Sequence, residues 1–169
     1  MKKYLSAFVC GFGAGVLHIV PLVKSFSCCL IIPVAAFLAL VLDQRASRNS
    51  KKIPMKKAMV FGLLTGLYAA IFGSIFEIVI TYITKHNDIV ATFPELQRMI
   101  QGFPVSDEIK TEALKLFQNV RDEILARGFS LLYTFSILIN YLIIDTIFGT
   151  IGGLIGAQVI NSRINKNEL

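Results

Sequence analysis

The sequence predicts an all-α, polytopic membrane protein: four transmembrane helices, the first two a short hairpin, and a helical extramembrane insert between the third and fourth. Three observations predict it. Of 169 residues, 54% are hydrophobic and only 17% charged, with a mean hydropathy of +0.65, outside the usual range of a soluble domain. Between Lys57 and Lys85 lie 27 residues interrupted by one charged side chain, Glu77, where about 20 apolar residues suffice to cross a bilayer. The preceding segment, DQRASRNSKKIPMKK, carries six basic residues against one acid, Asp43. Short loops rich in Lys and Arg stay cytoplasmic, so this loop orients the chain.

The first span is placed at residues 4–22, with Gly11 and Gly15 at GxxxG spacing and Pro21 as its end. Its charged start, Met1-Lys2-Lys3, resembles that of a signal peptide. No small-x-small cleavage site closes the run, however, and Ala7-Phe8-Val9 is too bulky for a lipobox before Cys10, so the helix is read as retained. The second span, residues 26–42, follows a turn at Val23-Lys24-Ser25 and is short at 17 residues. Because both segments are short and contain proline, a re-entrant hairpin is the rival arrangement; its turn would need protein cover. Either version returns the chain to its starting side.

The third span, residues 58–84, carries a helix-spaced row of small residues, Gly62, Gly66, Ala69, Ala70 and Gly73, ending at Glu77. Such rows let helix backbones approach closely. The fourth segment, residues 129–160, is longer than a span and carries Asp145, Gly149, Gly152, Gly153 and Gly156, read as lying along one side. Its first turns are expected to stand above the membrane, continuing the insert helix through or just after Gly128. With the basic loop inside, both termini are cytoplasmic, Lys2, Lys3, Arg163 and Lys166 agreeing. The localisation expected is the inner (cytoplasmic) membrane, multi-pass.

Residues 86–127 have mixed charge, five basic residues against seven acids, and form the only extramembrane module within a single membrane domain. Pro94 is expected to open a helix that Gly102-Phe103-Pro104 breaks. Ser106 then caps a longer helix with Asp107 and Glu108 in its first turn, where the helix dipole favours them. Ile109, Ala113, Leu116, Phe117, Val120 and Ile124 fall on one apolar stripe. The stripe either covers the protein's own surface or lipid, or binds a partner.

The net charge of +6 does not imply nucleic acid, since the basic residues sit at the ends of apolar runs and form no basic face. No nucleotide loop, zinc signature or nucleophile elbow is present, so neither enzyme activity nor a cofactor is expected. The soft-metal constellation that a turn near Val23 would assemble is His18 with Cys28 and Cys29. Its weightier competitor is that free cysteines behave as small apolar residues, and no metal is expected. The candidate site is instead the intramembrane acid pair Glu77 and Asp145. Counted from Lys57 and Arg163, 20 and 18 residues away, both acids lie about 27 to 30 Å up. Packing Gly62 to Gly73 against Gly149 to Gly156 would bring them together, to share a proton or cation or to be satisfied separately.

The order of elements, with Asp43-Gln44-Arg45, Gly62 to Gly66 and Gly149 to Ala157, resembles small bacterial four-helix integral membrane families of unknown function; Cys28-Cys29 is similar to a feature of another small membrane family with a glycine-rich hairpin. The resemblance implies a bacterial inner-membrane protein and assigns no catalytic residue. The function expected is that of a non-enzymatic accessory or scaffold subunit of a membrane assembly, with lipid and a membrane-protein partner or a second copy as its contacts. The alternative is a small oligomeric ion- or proton-coupled transporter or channel using Glu77 and Asp145.

Overall fold

A computed structural model describes residues 4–48 and 51–167, the side chains of residues 21, 22, 25, 27, 28, 166 and 167 excepted. Lys2, Lys3 and the side chain of Lys166 therefore lie outside the described residues. The chain is all-α: α1 (Leu5–Leu17), α2 (Pro21–Phe26), a π-helical turn (Ser27–Ile31), α3 (Ile32–Ser47), α4 (Met55–Thr84), α5 (Asp88–Gly102), α6 (Asp107–Arg127) and α7 (Leu131–Asn167). Among the described residues, three helical stretches are long and apolar enough to cross a membrane: Cys29–Ser47, Met55–Thr84 and Leu131–Asn165. The chain divides into two compact units, residues 1–76 with 137–169, and residues 77–136.

In the first unit α1 is only 13 residues long. It stops at His18, whose N–H bonds back to the Ala14 carbonyl at 3.1 Å, and the chain turns over residues 18–20. The turn therefore precedes the position expected at residues 23–25. Pro21 does not end a helix but starts one, because at a first helical position its missing N–H would have had no partner anyway. The π-helical turn that follows has a cause in Pro33, which has no N–H for the Cys29 carbonyl and would crowd it in a regular helix.

The core of this unit is rich in alanine, with Phe61, Ile32 and Leu40 as its largest fully buried side chains. Ala7 packs with Ala39, Leu40, Ala58, Phe61, Ala157 and Ile160 in one cluster, and Ala14 with Ile32, Ala35 and Ala69 in another, so α3 runs back along α1. Where alanines and glycines face one another the backbones come close, and dispersion between the packed helices contributes to their association. The basic loop is tied down by polar contacts: Asn161 donates to the Ile53 carbonyl at 2.9 Å and accepts from the Ile53 N–H at 2.7 Å. Asp43 pairs with Lys57 at 2.5 Å.

The second unit holds the last turns of α4, the α5–α6 pair and the first turns of α7. α5 begins earlier than the sequence suggested. Asn87 caps it, its side chain accepting from the Val90 N–H at 3.0 Å, and Pro94 sits inside the helix instead of opening it. A side-chain cap this strong, worth about 1 kcal/mol, starts the helix before Pro94 can. α6 begins after Ser106, whose hydroxyl makes no capping bond. Phe93 and Ile100 of α5 and Val120 and Ile124 of α6 are buried, and the Arg121 guanidinium lies 5.0 Å from the Phe93 ring centre.

α6 does not continue into α7. Gly128 ends it at φ +72, and a Cβ there would lie 2.5 Å from the Tyr82 carbonyl oxygen. Both the left-handed backbone and the close approach require glycine.

Candidate functional site

α4 and α7 meet through backbone. A Cβ on Gly62 would run into the Gly149 carbonyl, one on Gly66 into the Asp145 carbonyl, and one on Gly149 would sit 2.5 Å from the Gly62 oxygen. Gly153 faces Ala58, again at 2.5 Å. The α7 glycines do not form one stripe against one partner, however. Gly152 presses on Pro33, and Gly156 on Phe37 at 3.0 Å, so these two, one helical step around from 149 and 153, receive α3. Residues four apart share a helix face, and a GxxGGxxG run supplies two such pairs, 149 with 153 and 152 with 156. The α4 row divides too: Ala70 is fully buried, while Gly73 faces the His18 ring. On α1, Gly15 would meet the Gly73 nitrogen at 2.9 Å and Gly11 the Thr65 oxygen at 2.7 Å.

These contacts position the most consequential polar group of this unit. Asp145 is fully buried, on the face of α7 whose backbone lies against Gly66. The His18 Nε2 approaches its Oδ2 at 3.6 Å, and the imidazole meets the Tyr141 ring edge-on with centres 4.8 Å apart. Tyr141 and Asp145 are one turn apart on α7, so both reach the same point of α1. His18 is 3% exposed. Neither its Nε2 nor either Asp145 oxygen has a hydrogen-bond partner among the described residues. Removing a lone carboxylate from water costs several kcal/mol, and a histidine at ion-pair distance is the compensation this packing offers.

Glu77 lies in the second unit, at 9% exposure, and accepts a hydrogen bond from the Tyr133 hydroxyl at 3.1 Å. Thr81 and Ser130 are buried in the same unit. Each acid thus has a partner within its own unit. For the thiols, the turn at residues 18–20 removes the premise that aligned His18 with Cys28 and Cys29. Cys29 is exposed, and the Cys28 side chain lies outside the described residues. Among the described residues no three His, Cys, Asp or Glu side chains are grouped to hold a metal.

The α6 stripe needs one correction. Val120 and Ile124 are buried and Phe117 is half-buried, but Leu116 is 51% and Ile109 57% exposed. An apolar arc spanning residues 109, 113, 116, 117, 120 and 124 is wider than the strip that α5 covers. Leu116 and Ile109 consequently stay exposed, as do Phe103 and Val105 of the preceding loop.

No protein family model matches the chain, and neither a curated protein nor a solved structure does.

Sequence reasoning missed the partnership of His18 with Asp145. A signal existed in depth: 15 residues beyond Lys3, His18 stands about 22 Å from its anchor, against about 27 Å for Asp145 from Arg163. Comparing all ionisable residues in the apolar segments by depth, instead of the acids alone, would have raised the pair. Nothing in the sequence pointed to Tyr133 as the donor to Glu77.

Proposed function

We propose that the chain is a multi-pass protein of a bacterial inner membrane, with both termini cytoplasmic, that serves as a non-enzymatic accessory or scaffold subunit of a membrane assembly. Its N-terminal hairpin leaves and re-enters the cytoplasmic face, α4 crosses outward, α5–α6 stand outside, and α7 crosses back. With 13 residues, α1 reaches about 20 Å of a core some 30 Å thick, whereas Cys29–Ser47 is long enough to cross, so the two arms of the hairpin are unequal. The observation that carries the scaffold reading is the exposure of Ile109 and Leu116 of α6, and of Phe103 and Val105 in the loop before it, on a helix pair that already buries its own core. Large apolar side chains left exposed on an otherwise packed helix pair fit an interaction surface, and the partner is a membrane protein or a second copy of this chain.

The test is affinity isolation in mild detergent, comparing wild type with Ile109→Asp/Leu116→Asp. Partners that co-purify with wild type and are lost from a folded double variant support the reading. Identical partners from both would refute the role of these side chains. Reporter fusions at Asn49 and Gly102 test the topology, the first reading inside and the second outside.

A second reading, the small oligomeric ion- or proton-coupled transporter, is favoured by the burial of Asp145 against His18. Membrane-embedded ionisable residues commonly mark such paths, and uptake into liposomes distinguishes it.

A further inference from the structure

His18 closes α1 by accepting the turn at residues 18–20, and its ring fills the space left by the missing side chain of Gly73, whose Cβ position lies 3.4 Å from the imidazole. That packing leaves the ring little freedom to swing away. On its other side stand Tyr141 and Asp145 from α7. Three polar atoms converge here without a hydrogen-bond partner among the described residues: His18 Nε2, Asp145 Oδ1 and Asp145 Oδ2. Both side chains are more than nine-tenths buried. An imidazole and a carboxylate held at 3.6 Å form a closed set for a single proton. With the proton on His18 the pair is ionic; with it on Asp145 both groups are neutral; with it lost, a bare carboxylate remains where water is scarce.

We propose that His18 and Asp145 form a buried proton-binding site that couples the α1 turn to α7. The proton is held on Nε2 or on the carboxyl of Asp145, and its arrival or departure changes the charge of the contact that joins the two elements. The groups acting on the imidazole are named by the packing. α7 contributes Asp145 and Tyr141, α2 contributes the charge of the Lys24 ammonium, and the α4 position against the ring, Gly73, is not ionisable. A single imidazole and a single carboxylate are a poor donor set for a divalent or sodium ion, which takes several oxygens, so the ligand is the proton. The site stands whether the protein scaffolds or transports, and neither partner capture nor liposome uptake bears on it.

The test uses the full chain in lipid nanodiscs with His86→Gln, which leaves His18 as the only imidazole of two. The ring nitrogen-15 signals of His18 are followed from low to high pH in wild-type Asp145 and in Asp145→Asn. A proton held by the pair predicts at least a tenfold loss of His18 proton affinity, a shift of one pH unit or more, when the carboxylate is removed. An unchanged His18 midpoint in folded Asp145→Asn overturns the proposal. Should Asp145→Asn fail to fold, the carbon-13 carboxyl signal of Asp145 is followed in His18→Gln against wild type. An Asp145 titration that moves by a pH unit or more supports the pair, and an identical one overturns it. Exchange of potassium for sodium at fixed ionic strength should leave the His18 midpoint in place; displacement by sodium would make this a cation site and overturn the assignment.

Discussion

Replacing Gly66 by alanine should destabilise the first unit, while the same replacement at Gly13 should not. Both glycines are helix-interior positions, in α4 and α1, so the gain in helix propensity on going to alanine, about 1 kcal/mol, is common to both and cancels in the comparison. What differs is the space. A Cβ at Gly13 meets nothing within 4 Å, whereas at Gly66 it runs into the Asp145 carbonyl oxygen and carbon and the Thr146 Cα. Those are backbone atoms of a helix held on its other side by Gly152 and Gly156 against α3. No rotamer change relieves the clash, so α7 must move as a body. Overpacking of a fitted interior costs about 1 to 3 kcal/mol, and a backbone-on-backbone clash belongs at the upper end. The two variants should therefore differ by about 3 kcal/mol, roughly a hundredfold in the folded-to-unfolded ratio. The measurement is reversible unfolding in one detergent, followed by far-ultraviolet circular dichroism, with Gly62→Ala as a second probe of the same seam. Equal stability of Gly66→Ala and Gly13→Ala would refute the close α4–α7 approach, and with it the placement of Asp145.

Three further outcomes are expected. Ile124→Asp, which puts an unpaired charge at a fully buried position of α6, should cost about 3 to 5 kcal/mol and collapse proteolytic resistance of residues 86–127, whereas Leu116→Asp at an exposed position should leave that resistance intact. Asn161→Leu removes both hydrogen bonds to Ile53 and leaves that residue's N–H and carbonyl without them, at about 1 to 3 kcal/mol; hydrogen exchange of the Ile53 amide should accelerate accordingly. Gly128→Ala places a side chain at φ +72 against the Tyr82 carbonyl, a strain of about 1 to 3 kcal/mol, and should lower the unfolding midpoint of the second unit, a result that Gly102→Ala, in open space, should not reproduce.

Composition, run length and spacing alone determined that the chain is helical, where its long apolar helices lie and which residues are small enough for backbones to touch. These follow from properties carried by a segment by itself, such as the number of residues needed to cross a bilayer or the 3.6-residue repeat. The break at Gly102-Phe103-Pro104 is legible for the same reason, because turn chemistry is local, while α6 starts after Ser106 without the side-chain capping bond read there. Element ends were less legible where two local signals competed: Asn87 overrode Pro94 as the start of α5, and the turn at residues 18–20 overrode the one expected at Val23.

Only the tertiary structure decided which neighbour each small residue serves. Gly149 and Gly152 look alike in sequence, yet a rotation of three positions sends one to α4 and the other to α3. Leu116 and Val120 belong to one apolar arc, but the strip α5 can cover is narrower than that arc, so one is exposed and the other buried. The partnership of His18 with Asp145 depends on residues 127 positions apart in the chain. No local pattern encodes that distance; it is set by how closely glycine lets α1, α4 and α7 approach.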